Sequence, residues 1–152
     1  MAIKIYGRLS SANVQKINWF CEYANINVIN LNYGGIHGKT QTTEFKDMNP
    51  NSRVPVLDDD NFILYESNAI LRYLSKKFNI LVEEKKEISG KIDQWIDWGS
   101  FTFAAPCSLL TAHKLSLPQD QRDELIADKA KNDIFSLLNI LNNHLAKKDF
   151  IV

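Results

Sequence analysis

The sequence predicts an α/β first half followed by an all-helical second half. Three observations carry that reading. Short runs with strand patterning at Ala2–Tyr6 and Val28–Leu31 flank a stretch with helical spacing. Two further apolar runs, Val54–Leu57 and Phe62–Tyr65, are joined by Asp58–Asn61, which has the residue types of a hairpin turn. Beyond Asn79 the apolar residues recur with the helical period.

Each element follows in order. Ala2–Tyr6 is a strand and Gly7–Ser11 a turn. Asn13–Ala24 carries Ile17, Phe20, Cys21 and Ala24 on one helical face, and Val28–Leu31 is a second strand. The segment NYGGIHGKTQTTEFKDMNPN reads as loop with one short helix around Thr43–Met48, stopped before Pro50. Val54–Leu57 is the third strand. Pro55 lacks an N–H for a ladder bond, so it belongs at a strand's start or edge. Phe62–Tyr65 returns as the fourth strand. Ser67 suits a cap for a helix whose apolar positions are Ile70, Leu71, Leu74 and Phe78. Strands linked through helices favour parallel pairing, and the tight hairpin forces an antiparallel pair. The result is a four-stranded mixed sheet with three helices.

Asn79–Glu84 is the expected linker, which divides the chain into domains 1–80 and 84–152. In the second, Glu83–Lys91 is a charged helix entry. Ile88, Ile92, Trp95, Ile96 and Phe103 follow at helical spacing, with Trp95 expected in the core. Pro106 is expected to kink or end that helix. Leu117-Pro118 opens a last helix with an apolar stripe at Ile134, Leu137, Leu138, Leu141 and Leu145.

Composition narrows the function classes. The chain has 152 residues, 45% hydrophobic, enough to build a core. Lysine plus arginine and aspartate plus glutamate balance at 18 each, which leaves no electrostatic footprint for nucleic acid. No run approaches membrane-spanning length, and MAIKIYGRLSS lacks a secretory apolar region, so a cytoplasmic protein is expected. Cys21 and Cys107 form no CxxC pair. The three histidines are scattered without metal-ligand spacing, so no metal is expected.

The junction between strand and helix at Glu66-Ser67 sets a carboxylate beside a hydroxyl at a helix start, a place suited to charged ligand ends. Together with IYGRLSSANVQKINWF, MNPNSRVPVLDDDNFILYESNAILRYL and DQWIDWGSFTF in this order, it resembles the cytosolic glutathione transferase family, in its serine-type, bacterial-like form. The resemblance implies a thioredoxin-like first domain followed by a helical domain. It implies that Pro55 is a cis-proline, which turns the Val54 backbone outward to pair with the cysteinyl backbone of glutathione as an added strand would. Glu66 would take the γ-glutamyl ammonium, and Ser67 with the helix N–H groups its carboxylate. Lys39 and Gln41 lie in the loop where the family contacts the glycine carboxylate, and Asn49 is close to the same loop. Taken singly, Pro55 also fits a trans proline at a strand start, and Ser67 a plain cap.

The reacting group falls where the first strand turns into the first helix, at Leu9-Ser10-Ser11-Ala12-Asn13. No cysteine stands there, so dithiol exchange is excluded at that point. In the similar transferases a serine hydroxyl donates to the glutathione sulfur, and the family pattern selects Ser11. Ser10 is the alternative, Asn13 can donate through its amide, and Tyr6 ranks lower. A plain N-cap also explains a serine at this position. The implied activity joins glutathione, as cosubstrate, to a small electrophilic acceptor in a homodimer. A non-catalytic glutathione- or protein-binding module and a glutathione-dependent peroxidase are the alternatives. The family's second domain holds further helices, so the helical domain ending at Val152 is expected to be incomplete.

Overall fold

The computed structural model describes residues 2–152, which fall into two compact units, one ending at Val82 and the other running from Glu83. The first unit contains β1 (Ile3–Tyr6), α1 (Ala12–Tyr23), β2 (Val28–Leu31), α2 (Thr43–Met48), β3 (Val56–Asp59), β4 (Phe62–Tyr65) and α3 (Ser67–Phe78). The sheet order is β2-β1-β3-β4. β1 and β2 are parallel, while β3 runs antiparallel to both β1 and β4. The sheet is mixed, as expected, but the connection through α2 adds a second antiparallel pair to the one the hairpin forces.

Alternation explains the core. Ile3 and Ile5 of β1 point inward, and β3, paired on both sides, is buried along its whole length. Val14, Ile17 and Cys21 of α1 and Ile70 and Leu74 of α3 recur at helical spacing and close over Ile5 and Leu57. Burial pushes the Cys21 thiol up to about 11, so it is a small apolar core residue and not a nucleophile at neutral pH.

The first strand and first helix shift by one residue at their ends, to Ile3–Tyr6 and Ala12–Tyr23, and three further boundaries move for a physical reason. The third strand begins at Val56 rather than Val54, because Pro55 has no N–H to give to the ladder. Asp58 and Asp59 belong to β3 rather than to the turn. Asp58 pairs with Lys4 at 3.0 Å and accepts from the Asn61 N–H at 3.0 Å, while Asp59 takes the Tyr73 hydroxyl at 2.6 Å and the Lys77 ammonium. The hairpin turn is Asp60-Asn61, both at positive φ (56° and 70°), the two-residue geometry whose twist matches the strands. Ser67 is the first helical residue of α3 and not its cap. Glu66 holds the cap position at φ 68°, without a side-chain capping bond.

The second unit contains α4 (Lys86–Asp97), α5 (Ala104–Thr111) and α6 (Glu124–Leu145), with π-wound stretches at Trp98–Phe103 and Ala112–Ser116. The helical path therefore runs through Pro106 instead of ending there. The wider winding just before it, where the Ala104 N–H reaches Gly99 O, loosens the ladder that a proline would otherwise break. Leu117-Pro118 leads only into a single 3-10 turn, Gln119–Gln121. α6 starts at Glu124, where the Asp123 carboxylate accepts from the Leu125 and Ile126 N–H groups at 2.8 and 3.2 Å. Small residues Ala127 and Ala130 are buried where α6 packs on α5. Trp95, expected in the core, is half-buried, its ring 4.5 Å from His144 and 5.2 Å from Trp98.

Candidate functional site

Of the residues singled out from the sequence, Ser11 and Asn13 lie at the start of α1 and Glu66 and Ser67 at the start of α3, whereas Lys39 and Gln41 lie on the loop between β2 and α2. Ser11 occupies the N-cap position of α1 with extended backbone, and its carbonyl accepts from Val14 and Gln15 at 2.9 Å. Its side chain makes no capping hydrogen bond, so capping does not account for the hydroxyl. Ser10 is more exposed than Ser11. Asn13, the second residue of α1, accepts a hydrogen bond at Oδ1 from the buried Ser67 Oγ at 3.3 Å. That bond ties the β1–α1 turn to the start of α3.

Val54 joins this region through two glycines. A Cβ on Gly7, which follows β1, would come within 2.4 Å of Val14 Cγ2 and 3.4 Å of Val54 Cβ. A Cβ on Gly34, at φ 79°, would lie 3.4 Å from Val54 Cγ1. A side chain at Gly7 would clash with Val14, and the left-handed φ of Gly34 favours glycine, so both glycines let the chain pass beside Val54. The Val54-Pro55 peptide bond is cis. Pro55 is buried and Val54 half-buried. Asn49, expected close to the glycine-carboxylate loop, is buried and braces this approach: its Nδ2 donates to Arg53 O at 2.7 Å, and its Oδ1 accepts from the Asn51 N–H at 3.0 Å.

Glu66 is exposed beside Ser67. Lys16, missed in the sequence, donates to Asn68 Oδ1 at 2.5 Å. Burial lowers the pKa of its ammonium, Glu66 acts to raise it and Arg72 to lower it, and the net shift is downward. Lys39 and Gln41 stand exposed on the loop between β2 and α2. The Lys39 ammonium lies 5.3 Å from the centroid of Tyr33, whose ring stacks on Phe45 and meets Tyr6 edge-on. Burial, with Asp58 nearby, pushes the Tyr6 phenol up against an opposing Lys4, so it stays protonated at neutral pH.

The arrangement offers a hydroxyl at one helix start, a second hydroxyl and a carboxylate at another, and a backbone edge at Val54. Such a set suits a ligand bearing a thiol, a carboxylate and an ammonium on a peptide-like frame. Among the described residues no group of three or more His, Cys, Asp or Glu side chains is placed to hold a metal ion, and no helix is long and apolar enough to cross a membrane.

The family model for the glutathione S-transferase N-terminal domain matches residues 1–76. Glutathione S-transferase GstB of Escherichia coli strain K12 is 30% identical over 149 residues, spanning 95% of this chain and 72% of that protein. The crystal structure of the theta class glutathione S-transferase from the citrus canker pathogen Xanthomonas axonopodis pv. citri, with glutathione bound, superposes with a TM-score of 0.92 at 32% identity. It covers 99% of this chain and 73% of that one. Elongation factor 1-gamma of Danio rerio is 31% identical over 104 residues, 68% of this chain and 23% of that protein. With its sheet, its first-unit motifs and 95% of its length aligned to a transferase of 30% identity, the chain belongs to the glutathione S-transferase family.

Proposed function

We propose that the chain binds glutathione in its first unit and conjugates the glutathione thiolate to a small electrophile. The observation that carries this reading is the uncapped Ser11 hydroxyl at the α1 start, two residues before Asn13, whose side chain accepts from Ser67 at the α3 start. Val54 pairs with the cysteinyl backbone. Glu66 takes the γ-glutamyl ammonium, Ser67 and the α3 start its carboxylate, and Lys39 and Gln41 the glycine carboxylate. The thiol gives its proton to solvent. Ser11 donates to the sulfur, and the positive end of α1 further favours the thiolate. The thiolate attacks the electrophilic carbon, and the leaving group departs with the displaced electron pair. Cytoplasmic location and homodimer assembly belong to the same proposal, and sedimentation velocity tests the second.

Thermal unfolding with and without millimolar glutathione tests binding, since a ligand of the folded state raises the midpoint by mass action. Replacing Ser11 with alanine tests the chemistry. Turnover with a chromogenic electrophile is expected to fall about tenfold or more, with glutathione affinity within about twofold of wild type. Unchanged turnover removes Ser11 from the reaction. The likeness to elongation factor 1-gamma supports a second reading, a module that holds glutathione or a protein without turnover. Glutathione binding with no turnover of any electrophile tried would select it.

A further inference from the structure

Two side-chain bonds join α1 to the first turn of α3. Asn13 Oδ1 receives Ser67 Oγ at 3.3 Å, and Lys16 Nζ reaches Asn68 Oδ1 at 2.5 Å. Asn13 and Lys16 are three residues apart and share a face of α1, while Ser67 and Asn68 are adjacent. The two bonds therefore form a two-armed clasp between the helices. The arms are unequal. The hydroxyl–amide bond is long for an O–H donor, whereas the lysine bond carries a charge and is the stronger kind. Lys16 is half-buried, and burial acts against its ammonium form, so a hydrogen-bond partner is what keeps it inward and out of bulk water.

We propose that Lys16 is a positioning residue for the γ-glutamyl end of glutathione: by holding the Asn68 side chain it fixes the first turn of α3, and with it Glu66 and Ser67, against the helix that begins at Ser11. This inference rests on the glutathione-binding reading above. Lys16 acts through Asn68 and has no contact with the ligand. Its effect falls on affinity rather than on the reacting sulfur, which lies at the other end of the tripeptide's first peptide unit.

The test measures glutathione affinity by calorimetry, and kcat and KM for glutathione, in the intact chain and in Lys16→Met, Lys16→Arg, Asn68→Ala and the Lys16→Met/Asn68→Ala pair. Each of Lys16→Met and Asn68→Ala is expected to weaken affinity about five- to tenfold, with kcat at saturating glutathione little changed. The pair is expected to be no weaker than its weaker single variant, because both break one bond. Lys16→Arg is expected to restore affinity to within about twofold, since it keeps a charged donor. Unliganded thermal midpoints are expected to stay within about 3 °C of wild type. Unchanged affinity in Lys16→Met, multiplied losses in the pair, or losses that simply track the thermal midpoint would each overturn the proposal. Should Lys16→Met not fold, Asn68→Ala and Lys16→Gln carry the same comparison. A wild-type chain that binds no glutathione overturns the functional reading itself, whereas wild-type binding with an unaffected Lys16→Met overturns only the role of Lys16.

Discussion

In the first unit Ile5, Val14, Ile17, Phe45, Leu57, Ile70 and Leu74 have no exposed surface. Among the described residues of the second unit, by contrast, the buried ones are Pro106, Ala127 and Ala130, and Phe101 and Leu125 are 77% and 81% exposed. Both units carry clear apolar stripes, so composition is not the difference. A sheet offers two faces from strands only four residues long, and β3 is covered on both. Helices packed on helices bury only the stripes that face each other. Ile134, Leu137, Leu141 and Leu145 of α6 are accordingly half-buried, and Leu138 remains 39% exposed. The same apolar periodicity therefore closes a core in one architecture and leaves it open in the other.

The most direct way to break that comparison is to truncate one apolar side chain in each unit. Leu57→Ala is expected to cost about 3 kcal/mol in denaturant unfolding, from lost burial and the cavity left behind. Leu138→Ala is expected to cost less than about 1 kcal/mol. Equal costs would mean that the second unit is as tightly closed as the first.

Helix starts sharpen the contrast. Asp123 caps α6 with two hydrogen bonds, so Asp123→Ala is expected to lower stability by about 1 kcal/mol. Ser11 sits at the same kind of position in α1 but makes no capping bond, so Ser11→Ala is expected to change stability by less than about 0.5 kcal/mol. A large loss of stability in Ser11→Ala would assign the hydroxyl to folding rather than to chemistry.

The smallest expected effect is electrostatic and lies in the first unit. Burial pushes the Asp59 carboxyl up, but hydrogen bonds from Lys77 and Tyr73 outweigh it and hold its pKa below the ordinary 3.8. A carboxylate held low contributes stability above its unfolded pKa and loses it as pH falls through the folded value. The stability difference between wild type and Asp59→Asn is therefore expected to be constant near neutral pH and to shrink below about pH 4. Thermal unfolding across an acid series measures it. A difference that grows in acid would contradict the assignment.

Legibility followed the range of the interaction. β2, α2 and β4 were read from the sequence with the residue bounds the structure has, because apolar period and turn chemistry are local. The Glu66-Ser67 pair and Pro55 were legible as a constellation, and the cis bond at Val54-Pro55 agrees with what the family resemblance implied. Asp58 and Asp59 were misread as turn because aspartate favours turns in isolation. Their ion-pair and hydroxyl partners, Lys4, Tyr73 and Lys77, come from other elements and keep them in the strand. Lys16 was passed over because nothing near it in the chain marks a surface lysine as special.

By itself, the sequence determined the order of elements, the apolar faces, the mixed α/β half and the helical half, and the motifs that assign the family. Those properties follow from covalent geometry and side-chain period, which a short window contains. Tertiary structure alone decided that β3 pairs antiparallel with β1, that Ser67 opens α3 rather than caps it, and that Asn13 meets Ser67 and Lys16 meets Asn68 across separations of 54 and 52 residues. A side chain's partner that far along the chain is chosen by which helix faces pack together, and that choice exists only once the sheet has set the two helices side by side.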